Sequence, residues 1–241
     1  MSAVTSIRAV GLQSRPTQAD RGDGEHTMFT PVSRGLDLAL RGARVDAGVA
    51  PVTLGQQLVA EALAATLALD HAAVDIVLIL RRPLLTKFMT SVTGIGSAAS
   101  VTILLGLFYL AGWHRELATG AVALSVAGVV VVSLMGLVQR PFPPDPVCVT
   151  EGTGMAPHSF PSGHAAAATV YALVARRSDR LPFGVVVGLA ALVAFSRMYL
   201  GTHYLSDTVA GIAIGVGAFT AGRALLARYE LPVLSSLPED K

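Results

Sequence analysis

Residues 117–139 read LATGAVALSVAGVVVVSLMGLVQ, a run without a single Asp, Glu, Lys or Arg. A helix needs about 20 mostly apolar residues to cross the hydrocarbon core of a bilayer, so this stretch is long enough by itself. Charge is also missing from 88–113, 152–175, 181–196 and 208–222. The last two are short, but each continues past one charged residue, Arg197 or Asp207. Over all 241 residues, 52% are hydrophobic and 14% charged, and the mean hydropathy is +0.59. Soluble domains carry roughly 25% charged residues. These values exclude a soluble globule and a chain disordered throughout. Cys148 is the only cysteine, which excludes a disulfide-stapled module. A net charge of +2 is too small to argue for nucleic acid. The remaining class is an all-α integral membrane protein.

Working outward, five spans are expected at about 93–113, 117–138, 161–176, 183–200 and 206–226. Residues 52–69 (VTLGQQLVAEALAATLAL) make a weaker sixth, because Gln56, Gln57 and Glu61 make insertion costly; the expectation is a span packed with its polar face inward. Residues 71–91 read as helix–break–helix around Pro83, at headgroup level, with Arg81, Arg82 and Lys87 snorkelling. Residues 1–50, with six arginines among Gly, Ser, Thr and Pro, read as a mobile or interfacial tail. Leu36–Ala43 could form a short amphipathic turn there, and a start at Met28 is a second option. The membrane domain is taken as 51–230 and the C-terminal tail as 231–241. Residues 139–160 form a Pro/Gly-rich loop of a length that is usually functional. Arg115, Arg176, Arg177, Arg180 and Arg228 share one side by alternation. Basic residues favour the cytoplasmic side, so the long loop is expected to face outward, although Arg81, Arg82 and Lys87 argue the other way.

Three clusters fall on the long-loop side. Arg140-Pro141 closes one helix, Pro161-Ser162-Gly163-His164 opens the next, and Ser196-Arg197 precedes His203 and Asp207. Each alone has an ordinary reading, as a snorkelling arginine, a helix-start histidine or an i,i+4 pair. Together their chemistry suits phosphate. Two arginines offer forked donors. Ser162 stands at an N-cap, and the Gly163 and His164 amides then point from a helix N-terminus, a ready anion site. His203 and Asp207 share a helical face, so the carboxylate can hold one ring nitrogen and leave the other free to attack. His164 is placed to protonate a leaving group.

These clusters resemble the three signature motifs of the type-2 phosphatidic acid phosphatases, or lipid phosphate phosphatases: K-x6-R-P, P-S-G-H and S-R-x5-H-x3-D. Here they read SLMGLVQRP (133–141), PSGH (161–164) and SRMYLGTHYLSD (196–207). The resemblance covers roughly residues 70–226. It implies an acid phosphatase/haloperoxidase-like helical core and a phosphatase that needs no metal or other cofactor. His203 would form a phosphohistidine, Asp207 would orient it, and His164 would act as acid and then base. Arg140, Arg197, Ser162 and Gly163 would bind phosphoryl oxygens. The implied partner is a lipid phosphate or diphosphate in the cell membrane, of the phosphatidic acid, phosphatidylglycerol phosphate or polyprenyl type.

One position departs from the pattern. Ser133 stands where the family has lysine. Two helical turns before Arg140, it should share that arginine's face, and Arg81, Arg82 or Lys87 could supply the missing charge. His158 could touch a headgroup, while its spacing from His164 fits no familiar zinc pattern. Gly184/Gly188 and Gly211/Gly215 are small-xxx-small pairs suited to close packing within the bundle, with homodimerisation the lesser use. Two alternatives stay open: a phosphotransferase of the same family, and a non-catalytic anion-binding or transport protein.

Overall fold

The computed structural model describes residues 53–147 and 158–229. The tail 1–50 with Leu36–Ala43 and Met28, Cys148, the centre of the long loop and residues 231–241 lie outside the described residues. The described chain is helical, with no strand. Seven α-helices follow in order: α1 (Leu54–Leu80), α2 (Pro83–Thr93), α3 (Ala98–Leu110), α4 (His114–Val138), α5 (Gly163–Arg176), α6 (Phe183–Tyr199) and α7 (Leu205–Tyr229). A single 3-10 turn, Gly94–Gly96, separates α2 from α3.

The weak sixth span and the first half of 71–91 are one helix. α1 opens with a capping box, in which Thr53 Oγ1 accepts from the Gln56 N–H and Gln56 Oε1 accepts from the Thr53 N–H. Gln56, which counted against insertion, is therefore spent at the helix mouth. The break expected near Pro83 falls at Arg81-Arg82, with Pro83 in the first turn of α2. The polar face of α1 does not turn inward: positions 54–69 are exposed, and burial begins at Asp70.

α1, α4 and α7 are each long and apolar enough to cross a membrane, and α2 with α3 passes the same test as a pair bent by 55°. The expected span 93–113 is thus broken: Ser97 caps a helix of 13 residues rather than continuing one. By length and composition the described residues give three such spans, or four with the bent pair. α5 and α6, at 14 and 17 residues, are short.

α5 is the central helix, packed against α4, α6 and α7. Its alanines explain this. Ala165, Ala166, Ala167, Ala168, Ala172 and Ala175 are all buried and let three neighbours approach closely. Glycines on α7 face them. A Cβ on Gly215 would stand 2.6 Å from the Ala166 carbonyl oxygen and 2.7 Å from Thr169 Cβ, and one on Gly211 would meet the Ser162 carbonyl. The Gly211/Gly215 pair thus serves packing inside the bundle. Gly184 and Gly188 do not, since a Cβ at either meets nothing within 4 Å.

Candidate active site

The three sequence clusters converge where α4 ends and α5 and α7 begin. His203 lies in the turn between α6 and α7 and is 6% exposed. Its Nδ1 is hydrogen-bonded to the Ser159 carbonyl. A carbonyl only accepts, so Nδ1 carries the proton and Nε2 keeps the lone pair. Burial lowers the His203 pKa to about 3; the Arg197 charge and, less strongly, His164 act in the same direction, and the Ser159 bond opposes them. The ring is a neutral base at physiological pH.

The role expected for Asp207 changes. Among the described residues the partner of His203 Nδ1 is the Ser159 carbonyl and not Asp207. The Asp207 carboxylate instead accepts from Arg140 Nη1 at 2.6 Å and from the Tyr204 N–H at 2.8 Å. It sits fully buried in the first turn of α7, and a cation at 2.6 Å outcompetes a neutral imidazole for a buried carboxylate. The Asp207 backbone carbonyl also accepts from the Ser162 N–H at 3.0 Å. Asp207 thereby joins the starts of α5 and α7 to the end of α4.

Arg140 is held from both sides. Its Nη1 also donates to Ser206 Oγ at 2.8 Å, and its Nη2 donates to Asp70 Oδ2 at 2.7 Å. Its guanidinium lies 3.9 Å from the centroid of the Tyr204 ring. Three of its N–H donors are thus spent on protein groups, out of the five that a guanidinium has. Asp70 is 1% exposed and accepts in addition from the Ser206 N–H and Oγ, at 2.8 and 2.6 Å. Arg197 Nη1 donates to Thr93 Oγ1 at 2.8 Å, so this arginine is braced by the end of α2.

Ser162 is the N-cap of α5, its Oγ accepting from the Ala165 N–H at 3.3 Å. His164, in the first turn, is half-buried. The 3-10 turn closes on it: a Cβ added to Gly96 would lie 3.0 Å from His164 Cβ and Cδ2 and from Val193 Cγ1. Gly163 has no such packing demand, since a Cβ there would meet only Val131 at an ordinary 3.4 Å.

Ser133 is exposed on α4. The helix stops at Val138 and Gln139 takes a left-handed φ of 49°, so Arg140 leaves the helical line and the shared face expected for the two residues is lost. Lys87 is exposed on α2 and His158 is half-buried beside Ser159. Of the basic residues near Pro83, Arg81 is tied to this end of the molecule. Its Nε donates to the Tyr199 carbonyl at 3.2 Å and its Nη1 to the Asp145 carbonyl at 2.7 Å. Gly201, at φ 67°, makes room for it: a Cβ there would be 2.5 Å from Arg81 Nη2. Arg82 instead caps α1, donating to the Ile79 and Arg81 carbonyls.

Sequence reasoning missed Asp70, Ser159 and Ser206. Asp70 carried a usable signal, as one of three acids, with Glu61 and Asp75, in a largely apolar helix, but it fell between segments read separately. Ser159 acts through its carbonyl, which no residue type announces.

Residues 117–229 match the PAP2 superfamily. Decaprenylphosphoryl-5-phosphoribose phosphatase of Mycobacterium tuberculosis is 37% identical over 120 residues, covering 49% of this chain and 67% of that protein. Phosphatidylglycerophosphatase B of Bacillus subtilis is 30% identical over 169 residues, covering 62% and 79%. Among solved structures, Aquifex aeolicus LpxE superposes with a TM-score of 0.54 at 25% identity, over 63% of this chain and 92% of that one. The Bacillus subtilis transmembrane PAP2 type phosphatidylglycerolphosphate phosphatase shares the fold, with a TM-score of 0.59 at 21% identity over 68% and 87%.

Proposed function

The chain belongs to the PAP2 superfamily, and from that premise we propose that it hydrolyses a lipid phosphate through a phosphohistidine on His203. The observation that carries this reading is the His203 ring, buried and neutral, with Nδ1 fixed by the Ser159 carbonyl. Nε2 attacks phosphorus, and the P–O bond to the lipid breaks as His164, which takes up a proton when the substrate's phosphate anion binds beside it, gives that proton to the leaving oxygen. His164 then takes a proton from water. That water's oxygen attacks phosphorus, the P–N bond breaks, and orthophosphate leaves. Arg197 and the Gly163 amide at the α5 N-terminus hold the phosphoryl oxygens. The spare donors of Arg140 contribute, while Asp207 sets Arg140 and the α5–α7 junction. The absence of a packing reason for glycine at 163 supports close approach of an anion there.

A lipid substrate is supported by a cavity of about 270 Å³ between α3 and α6, lined by Ile103, Leu107, Tyr171, Leu189 and Val193 among others. Val193 also faces the His164–Gly96 contact, so an apolar chain in this cavity would run toward the site. Six crossings follow if α1, the bent pair α2–α3, and α4 to α7 each traverse the bilayer. The arginine-bearing end would then be cytoplasmic and the site extracytoplasmic. The test is phosphate release by purified protein from phosphatidic acid, phosphatidylglycerol phosphate and polyprenyl phosphates in detergent with EDTA. Wild type should release phosphate, and His203→Ala should lose at least 10³-fold while folding normally. Unimpaired turnover by His203→Ala, or loss of wild-type activity to EDTA, would sink the reading.

A further inference from the structure

The same three helices that build the site carry a second polar cavity at their other ends. It measures about 220 Å³ and is lined by Arg115, Glu116 and Thr119 of α4, Arg177 just after α5, and Phe219 and Arg223 of α7. Arg223 lies 5.9 Å from the Phe219 ring centroid, which orients it. At about 1.5 Å per residue along α4 and α5, this cavity stands roughly 20 to 35 Å from the histidines. It takes no part in the chemistry above.

Its electrostatics are unbalanced. Among the described residues no carboxylate pairs with Arg115, Arg177 or Arg223; the one carboxylate present, Glu116, pairs with Arg180 at 3.8 Å. Arg115 occupies the first turn of α4, where the helix dipole disfavours a cation and favours an anion. No side chain caps that helix start, so the orphan N–H groups of the first turn have no side-chain acceptor. Glu116 adds a specific demand. Its side chain is 10% exposed, and Oε1 accepts from Ser178 Oγ at 2.6 Å. Its Oε2 is buried and accepts no hydrogen bond. Three exposed guanidiniums at a helix start offer donors to an anion, and the buried Glu116 Oε2, which among the described residues has only Arg180 at 3.8 Å, has room for a closer donor. A phosphate that keeps one proton supplies both.

We propose that this cavity is a second phosphate site, distinct from the catalytic one, which holds a monoprotonated phosphate by Arg115, Arg177 and Arg223 with its O–H donating to Glu116. Orthophosphate and the phosphomonoester of a lipid headgroup share this chemistry. The test is equilibrium binding to full-length His203→Ala protein in detergent, with radiolabelled orthophosphate in one arm and a short-chain phosphatidic acid in the other. Two equivalents per chain are expected, falling to one in a Arg177→Gln/Arg223→Gln background. Binding of orthophosphate at the second site assigns it to free phosphate; binding of the lipid alone assigns it to a headgroup. Sulfate, which carries no proton at neutral pH, should compete at least tenfold more weakly than phosphate for the second equivalent. One equivalent with both probes, or a second that survives the double substitution, overturns the proposal. Equal competition by sulfate overturns the part given to Glu116.

Discussion

Asp70 does more for this site than its place in an apolar helix suggests. It is the far anchor of Arg140, and with Asp207 it clamps the guanidinium between two carboxylates at 2.7 and 2.6 Å. Asp70→Asn removes one charge and leaves its partner underpaired. A loss of about 1–3 kcal/mol is expected, visible as a lower melting temperature in detergent, with a fall in kcat larger than the rise in KM. Unchanged stability would mean that Asp70 is a bystander. His203 gives a second prediction. With its pKa near 3 rather than 6.5, the unfolded chain binds a proton that the folded one refuses between those values. Stability should therefore fall as pH drops through 6.5 toward 3. In a 13C-histidine NMR titration the His203 resonance, assigned by its absence in His203→Asn, should stay in the neutral form at pH 5. A midpoint near 6.5 would refute the buried, neutral nucleophile.

At the scale of elements, small residues decide how near the helices stand. The Gly215 backbone of α7 lies against α5 with no room for a methyl group, whereas Gly188 of α6 faces open space. Gly215→Ala must push the helices apart, at roughly 1–3 kcal/mol, and should lower both melting temperature and activity. Gly188→Ala should be neutral or mildly stabilising, because it only replaces a poor helix former. The reverse ranking would contradict the packing described. The glycine spacing was legible in both pairs, but only contact with a neighbour separates them. The break at Arg81-Arg82 was legible from Pro83 for a local reason. The end of α4 was not: the left-handed Gln139 moves Arg140 off the helical line, and with that Ser133 loses the face that a spacing of seven implied.

For the molecule as a whole, the cavity between α3 and α6 ends at Val193, which borders Gly96 together with His164, and the proposed function puts the lipid chain there. Ala190 lines it. Ala190→Phe should therefore raise KM for long-chain lipid phosphates several-fold and leave a short-chain, water-soluble phosphate unaffected. Equal effects on both would place the lipid chain elsewhere. The sequence by itself determined the membrane class, because 14% charge cannot cover a soluble surface. It also singled out Arg140, Ser162, His164, Arg197, His203 and Asp207, because these fall at helix ends on one side of the alternation, but not Asp70, Ser159 or Ser206, which hold them. The tertiary structure alone decided how they are wired. The partner of His203 is a backbone carbonyl, and the partner of Asp207 is an arginine that Asp70 draws in from α1, some 70 positions away. Spacing reports which side chains share a helix face. It does not report which of several acceptors wins a buried cation, since that competition is settled by distance and desolvation among residues far apart in the chain.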